Sequence, residues 1–173
     1  MCSLPLRRSD DAIRYLEKAS AVVDTEFTAA SLVVQCYEAR GDHAGAVAAA
    51  RRALVRIEKV ITAEPDHGRA LSYGASVLAV LGEAERAKEW IERGTLLDPG
   101  NTLQHFNFVC TLVRLGELDA ALDLLANVID KASTGLFHWL DNDTDLDPVR
   151  HNPRFVQLFR QAKARFETEQ TQS

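Results

Sequence analysis

Residues 68–101 read GRALSYGASVLAVLGEAERAKEWIERGTLLDPGN, and near their middle a glycine is followed by an acidic residue and, five residues after the glycine, by an alanine. The arrangement occurs three times in the chain: as Gly41, Asp42 and Ala46, as Gly82, Glu83 and Ala87, and as Gly116, Glu117 and Ala121. Glycine suits the left-handed residue after a helix, an acid is favoured where the next helix starts, and alanine lets two helices approach closely. The pattern therefore predicts three helical hairpins.

The hairpins recur with a fixed period. Gly82 and Gly116 are 34 residues apart, and 34 residues before Ala46 lies Ala12, in the helical segment that opens the chain. This is the period of the tetratricopeptide repeat. Residues 68–101 resemble that family in their small and large positions, which are Leu71, Ala75, Leu78, Gly82, Ala87, Ile91 and the closing Leu97, Asp98 and Pro99. Gly94 and Val128 depart from the family's usual alanine.

The resemblance implies an all-α fold of antiparallel helical hairpins, stacked as a right-handed solenoid with a C-terminal capping helix. We expect one domain over residues 9–166, between a flexible N-terminus at 1–8 and a flexible tail at 167–173. The predicted parts are a half repeat at 9–26, an extended repeat at 27–67, ordinary repeats at 68–101 and 102–135, and an aspartate-rich loop with the capping helix at 136–166. The half repeat favours a fragment of a longer protein, unless its helix is itself the cap.

The extended repeat contains a long second helix. Gly41 and Gly82 are 41 residues apart, seven more than the period. Seven residues are nearly two helical turns, so the apolar face rotates by only about 20° and stays in register. We expect one helix from about Asp42 to Ala63 with a protruding distal end. That end either packs on the next hairpin or forms a contact surface.

The C-terminal stretch has a different pattern. Residues 139–155 read WLDNDTDLDPVRHNPRF, and with Asn107-Phe108-Val109-Cys110 they resemble the C-terminal module of bacterial nucleotidyl cyclases, serine/threonine kinases and winged-helix regulators. That resemblance covers residues 45–166. The alternating aspartates do not form an EF-hand, because Leu146 and Asn152 stand where glycine and glutamate are needed. We expect these aspartates to cap turns and to pair with Arg150 and Arg154.

Composition and motifs exclude several function classes. The net charge of −5 argues against nucleic acid and anionic membranes as partners, because those surfaces require a basic patch. Three widely separated cysteines indicate reduced thiols and a cytoplasmic protein. The local signatures of phosphate-binding loops, dinucleotide sites, zinc proteases and serine hydrolases do not occur. We therefore predict no catalytic residues, no cofactor and no metal.

The family's groove positions give the predicted binding residues. They lie on the first helix of each repeat: Ser31, Gln35 and Glu38, then Arg69, Ser72 and Ser76, then Leu103, Phe106, Cys110 and Arg114. A helix or an extended segment laid in this groove would use Phe106 as its anchor. The alternative is that Phe106 packs against the C-terminal helix and blocks the groove.

Three hypotheses about function stand at this point. The first is a non-catalytic scaffold that binds a protein or peptide segment through its concave groove. The second is the regulatory C-terminal module of a multidomain bacterial signalling protein, such as an adenylate or guanylate cyclase, a kinase or a transcription regulator. The third is an enzyme, which would require clustered titratable residues in a closed pocket. The oligomeric state is open, with a homodimer among the alternatives.

Overall fold

The computed structural model describes residues 6–23 and 25–171, and all regular structure in these residues is helical. The helices are α1 (Leu6–Val22), α2 (Phe27–Ala39), α3 (His43–Ala63), α4 (Gly68–Val80), α5 (Ala84–Leu97), α6 (Thr102–Leu115), α7 (Leu118–Lys131), α8 (Thr134–Asp141), a 3-10 helix (Thr144–Val149) and α9 (Pro153–Thr171). The predicted all-α class is confirmed for this part of the chain. Within it, no helix is long and apolar enough to cross a membrane.

The chain divides into two compact units between Pro99 and Gly100. In the N-terminal unit, α2 pairs with α3 and α4 with α5, while α1 packs on α2, α3 packs on α4, and α2 lies beside α4. In the C-terminal unit, α6 pairs with α7, the 3-10 helix packs on α6, and α9 packs on α7 and α8. The division falls close to the predicted end of the second full repeat at Asn101.

The three glycine turns have one geometry. Gly41, Gly82 and Gly116 have φ angles of 71°, 76° and 78°, in the left-handed region that glycine adopts without strain. The acidic residue after each glycine donates its backbone N–H to a carbonyl five residues earlier, as in a Schellman motif, in the pairs Asp42–Tyr37, Glu83–Leu78 and Glu117–Leu112. Repetition of this bond explains why the sequence pattern located all three turns.

Small residues set how closely paired helices approach. Ala46, Ala87 and Ala121 are buried, as the repeat pattern predicts. Gly74 on α4 permits a still closer approach, because a Cβ atom there would lie 2.1 Å from Cζ3 of Trp90 on α5. The glycine therefore leaves the space that the indole ring of Trp90 fills.

The long helix of the extended repeat forms as predicted. α3 has 21 residues, whereas α5 and α7 have 14 each. In its distal half, Glu58 accepts a hydrogen bond of 2.7 Å from Arg86 of α5, and Val60 and Ile61 are half-buried. This half of α3 thus contacts the next hairpin, which is one of the two predicted alternatives.

Arginines fasten helix ends in both units. Arg56 of α3 donates to the backbone carbonyls of Ser20 and Val23, at the end of α1. Arg165 of α9 donates in the same way to Ile129 and Asp130, at the end of α7. Each guanidinium satisfies carbonyls that a helix end leaves without an intrahelical partner.

In the C-terminal unit, residues 134–141 form helix α8, whereas the aspartate-rich loop was predicted to begin at residue 136. The predicted apolar stripe of α9 is buried, and Phe137 of α8 packs on it at ring-centroid distances of 5.3 Å from Phe159 and 5.0 Å from Phe166. The ends also differ: α1 already begins at Leu6, and α9 continues to Thr171. The remaining parts of the predicted flexible ends, 1–5 and 172–173, lie outside the described residues.

Candidate protein-binding surfaces

The predicted groove residues of the N-terminal unit lie on α2 and α4, two helices that lie beside each other. Ring contacts fix these helices against each other, since Phe27 of α2 lies 5.6 Å from the His67 ring and 5.8 Å from the Tyr73 ring. His67 also caps α4, because its Nδ1 accepts the backbone N–H of Ala70 at 3.2 Å. The face between the two helices is thereby held in one arrangement.

Four of the six predicted groove residues of this unit can be reached by solvent. Arg69 is exposed, with its guanidinium 5.7 Å from the centre of the Tyr73 ring, and Gln35, Glu38 and Ser76 are partly exposed. Ser72 is buried and lies below this face, as does Ser31 on α2. We call the set Gln35, Glu38, Arg69 and Ser76 the α2–α4 surface.

In the C-terminal unit, Phe106 requires a correction. Its side chain is 1% exposed and makes an edge-to-face contact of 4.9 Å with Trp139. A buried ring cannot anchor a partner, so the groove residue expected from the family pattern is part of the core in this structure. The blocking residue also differs from the alternative considered above, because Trp139 belongs to α8 and not to the C-terminal helix.

Of the other predicted residues of α6, Leu103 and Arg114 lie at the surface and Cys110 does not. Leu103 is 59% exposed, Arg114 is exposed, and Cys110 is partly buried. Burial raises the pKa of the Cys110 thiol, and the negative charges of Asp145 and Asp143 raise it further. Cys110 is therefore a protonated thiol at neutral pH and not a nucleophile.

Trp139 is an exposed aromatic residue of the C-terminal unit that the sequence did not lead us to predict as a binding residue. It is 43% exposed, although its indole makes an edge-to-face contact with Phe106. The available signal was the helical spacing of Phe137 and Leu140, both of which are buried. That spacing places Trp139 on the opposite, outward side of a short helix.

The aspartate-rich segment is organised by hydrogen bonds. The buried Asp143 caps the 3-10 helix, since its Oδ1 accepts the backbone N–H of Asp145 at 2.9 Å. Arg150 donates to the Asp147 carboxylate and to the backbone carbonyl of Asp143, both at 2.8 Å. The expected pairing with Arg150 is thus confirmed for Asp147.

The partners of Arg154 differ from expectation. Its guanidinium pairs with Asp119 and Asp123 of α7, and these carboxylates raise its pKa above the usual arginine value. The contact joins the first turn of α9 to α7. Within the described residues, no group of three or more histidine, cysteine, aspartate or glutamate side chains is arranged to hold a metal ion.

Comparison with known proteins supports the fold. The crystal structure of MamA, a protein that contains tetratricopeptide repeats, matches with a TM-score of 0.50 and 15% sequence identity over 95% of this chain and 92% of that chain. No protein-family model and no curated protein matches the sequence. The chain therefore has a tetratricopeptide-like helical repeat fold.

Proposed function

We propose that this chain is a non-catalytic scaffold that binds a protein or peptide segment through the outward faces of the first helices of its hairpins. The observation that carries the proposal is the α2–α4 surface. Phe27 holds two adjacent helices together through its contacts with His67 and Tyr73, and each helix carries polar side chains that are exposed or partly exposed. A preformed surface reduces the entropy lost on binding, which favours affinity.

The chemistry of the α2–α4 surface favours a polar segment. Arg69 supplies a cation with five N–H donors, Glu38 supplies an anion, and Gln35 and Ser76 can both donate and accept hydrogen bonds. A surface with both a cation and an anion selects a partner by the spacing of the partner's opposite charges as well as by its shape. An extended or helical peptide with alternating charges has the required complementarity.

Differential affinity capture tests this proposal. The wild-type chain, a variant with Glu38→Ala and Arg69→Ala, and a control variant with Arg51→Ala are used as baits in extract from the native cell. Arg51 is exposed on α3, a helix that carries neither of the tested residues. We expect proteins that bind the wild type and the control but not the double variant. Identical captured sets for the three baits would contradict the proposal.

A second candidate function is the regulatory C-terminal module of a multidomain bacterial signalling protein in the cytoplasm. The resemblance of residues 139–155 to the tails of such proteins favours it. In that case the scaffold would contact a catalytic or DNA-binding domain of its own polypeptide, or pair two copies of it as a homodimer. Sequencing of the full gene tests this candidate, because a reading frame without a signalling domain would eliminate it.

A further inference from the structure

Helix α1 stands at one end of the row of helices in the N-terminal unit. Among the described residues, its extensive packing is on α2 alone, whereas α2 packs on α1, α3 and α4. Ile13 and Ser20 are buried and mark the side of α1 that faces the unit. The end of a helical repeat array needs a polar outer face to stay soluble, so charged residues are expected on the other side.

The outer side of α1 instead carries a line of apolar side chains. Tyr15 is 64% exposed, Val22 is 80% exposed, and Ala19 is exposed between them. The half-buried Ala12 extends the line, because residues three or four positions apart share one face of a helix. We call Ala12, Tyr15, Ala19 and Val22 the α1 stripe. A contiguous apolar surface of this kind indicates an interaction site.

The largest side chain of the α1 stripe is held in place by its neighbours. The guanidinium carbon of Arg14 lies 5.3 Å from the centre of the Tyr15 ring, a cation–π contact. Arg14 is itself paired with Asp11, with 3.0 Å between Nη2 and Oδ1. The tyrosine ring therefore loses less freedom when a partner covers it, which favours binding.

The α1 stripe is complementary to itself. Its residues are spaced by three, four and three positions, so the line reads the same in both directions about Glu17. A second copy related by a two-fold axis therefore places its Ala19 opposite Tyr15 and its Val22 opposite Ala12. Every contact then joins a large side chain to a small one, which allows close packing. A parallel second copy would instead oppose Tyr15 to Tyr15 and leave gaps between the alanines.

From this self-complementarity we propose that the α1 stripe binds a second copy of the chain, with the two α1 helices packed antiparallel. A stable interface buries about 800 Å² per partner, and the side chains of one stripe offer on the order of half of that area. Lys18 lies beside the midpoint of the stripe, and its repulsion of Lys18 in the second copy also limits the affinity. The dimer is therefore weak and reversible, with a dissociation constant on the order of 100 µM. It adds a partner to the proposed scaffold without using the α2–α4 surface.

Sedimentation equilibrium of the intact chain tests the dimer, at concentrations from about 1 µM to about 1 mM. We expect the average mass to rise from that of a monomer toward that of a dimer. Ala19→Lys should weaken the association at least about tenfold, because the lysine takes the space of Tyr15 and sets a charge against an apolar side chain. Ala164→Lys is the matched control, since Ala164 is an exposed alanine of α9, and it should associate as the wild type does. Far-ultraviolet circular dichroism checks that both variants keep their helical content.

Crosslinking tests the antiparallel orientation. Ala12→Cys and Val22→Cys are introduced separately into a chain whose Cys2, Cys36 and Cys110 are replaced by alanine, and the two proteins are mixed with a short bis-maleimide crosslinker. In an antiparallel pair, the two different positions are adjacent, whereas like positions are ten residues apart along the helices, about 15 Å. We therefore expect crosslinks between the two proteins and few within either protein alone.

Three results would overturn the inference. The first is a wild-type chain that remains monomeric at about 1 mM. The second is an Ala19→Lys variant that associates as strongly as the wild type, which would place the contact elsewhere. The third is crosslinking within each cysteine variant alone, which would show a parallel pair. None of these results changes the expected capture of partners through Glu38 and Arg69, so the scaffold function is tested separately.

Discussion

Gly74→Ala tests the closest helix contact in the N-terminal unit. The new Cβ atom would lie 2.1 Å and 2.4 Å from two carbons of the Trp90 ring and 3.0 Å from Cγ2 of Ile57. Carbon atoms in good contact are about 3.5–4.0 Å apart, so the indole or the whole of α5 must shift. Overpacking of this kind costs about 1–3 kcal/mol, and the depth of this overlap indicates the upper end.

The cost is partly offset by helix propensity, since alanine is better than glycine inside a helix by about 1 kcal/mol. We therefore expect the unfolding free energy to fall by about 2 kcal/mol, which lowers Tm by about 4–8 °C in a chain of this size. Urea unfolding followed by far-ultraviolet circular dichroism measures the change.

Gly135→Ala is the matched control. Gly135 lies in α8, and a Cβ atom there would meet nothing within 4 Å. The same substitution should therefore be neutral or stabilise by up to about 1 kcal/mol. Adding Trp90→Leu should remove most of the cost of Gly74→Ala in a double-mutant cycle. A Gly74→Ala protein as stable as the wild type, or a cost that persists beside Leu at position 90, would refute the packing argument.

Three further predictions concern caps, a thiol and a helix end. His67→Ala should lower the unfolding free energy by about 1 kcal/mol because the cap of α4 is lost. His67→Asn should retain most of the wild-type stability because asparagine can also cap the helix, and urea titration of both variants measures the difference. Folding raises the pKa of the Cys110 thiol, so above about pH 9 the unfolded chain loses this proton while the folded chain keeps it. The thiol's contribution to the unfolding free energy is therefore complete below about pH 9 and decreases above that pH by about 1.4 kcal/mol per pH unit. Unfolding curves at alkaline pH should therefore fall less steeply for Cys110→Ala. Arg56→Ala should speed amide exchange at the end of α1, whereas Arg51→Ala should not, and equal exchange in both variants would contradict the fastening role of Arg56.

The sequence was sufficient for the features that recur. Each turn needs glycine at one backbone position, and each hairpin needs a small residue where its helices cross. The positions of Gly82 and Ala87 therefore recur in every repeat and can be recognised from the sequence. The length of α3 followed because an insertion of seven residues preserves the apolar face. Gly74 was not singled out, since its importance depends on the position of the Trp90 ring, which lies on another helix.

The prediction that Phe106 anchors a partner also failed because it depends on contacts with another helix. An isolated segment of eight residues is too short to form a stable helix, so the spacing of Phe137 and Leu140 was only a weak local signal for α8. In the folded chain, Phe137 gains the aromatic side chains of α9 and Trp139 gains Phe106, and these tertiary contacts stabilise α8. Once α8 forms beside α6, Phe106 is covered and the exposed aromatic position passes to Trp139. One short helix thus changes which residue a partner can reach, and the binding surface of the C-terminal unit follows from the last hairpin and not from the repeat pattern.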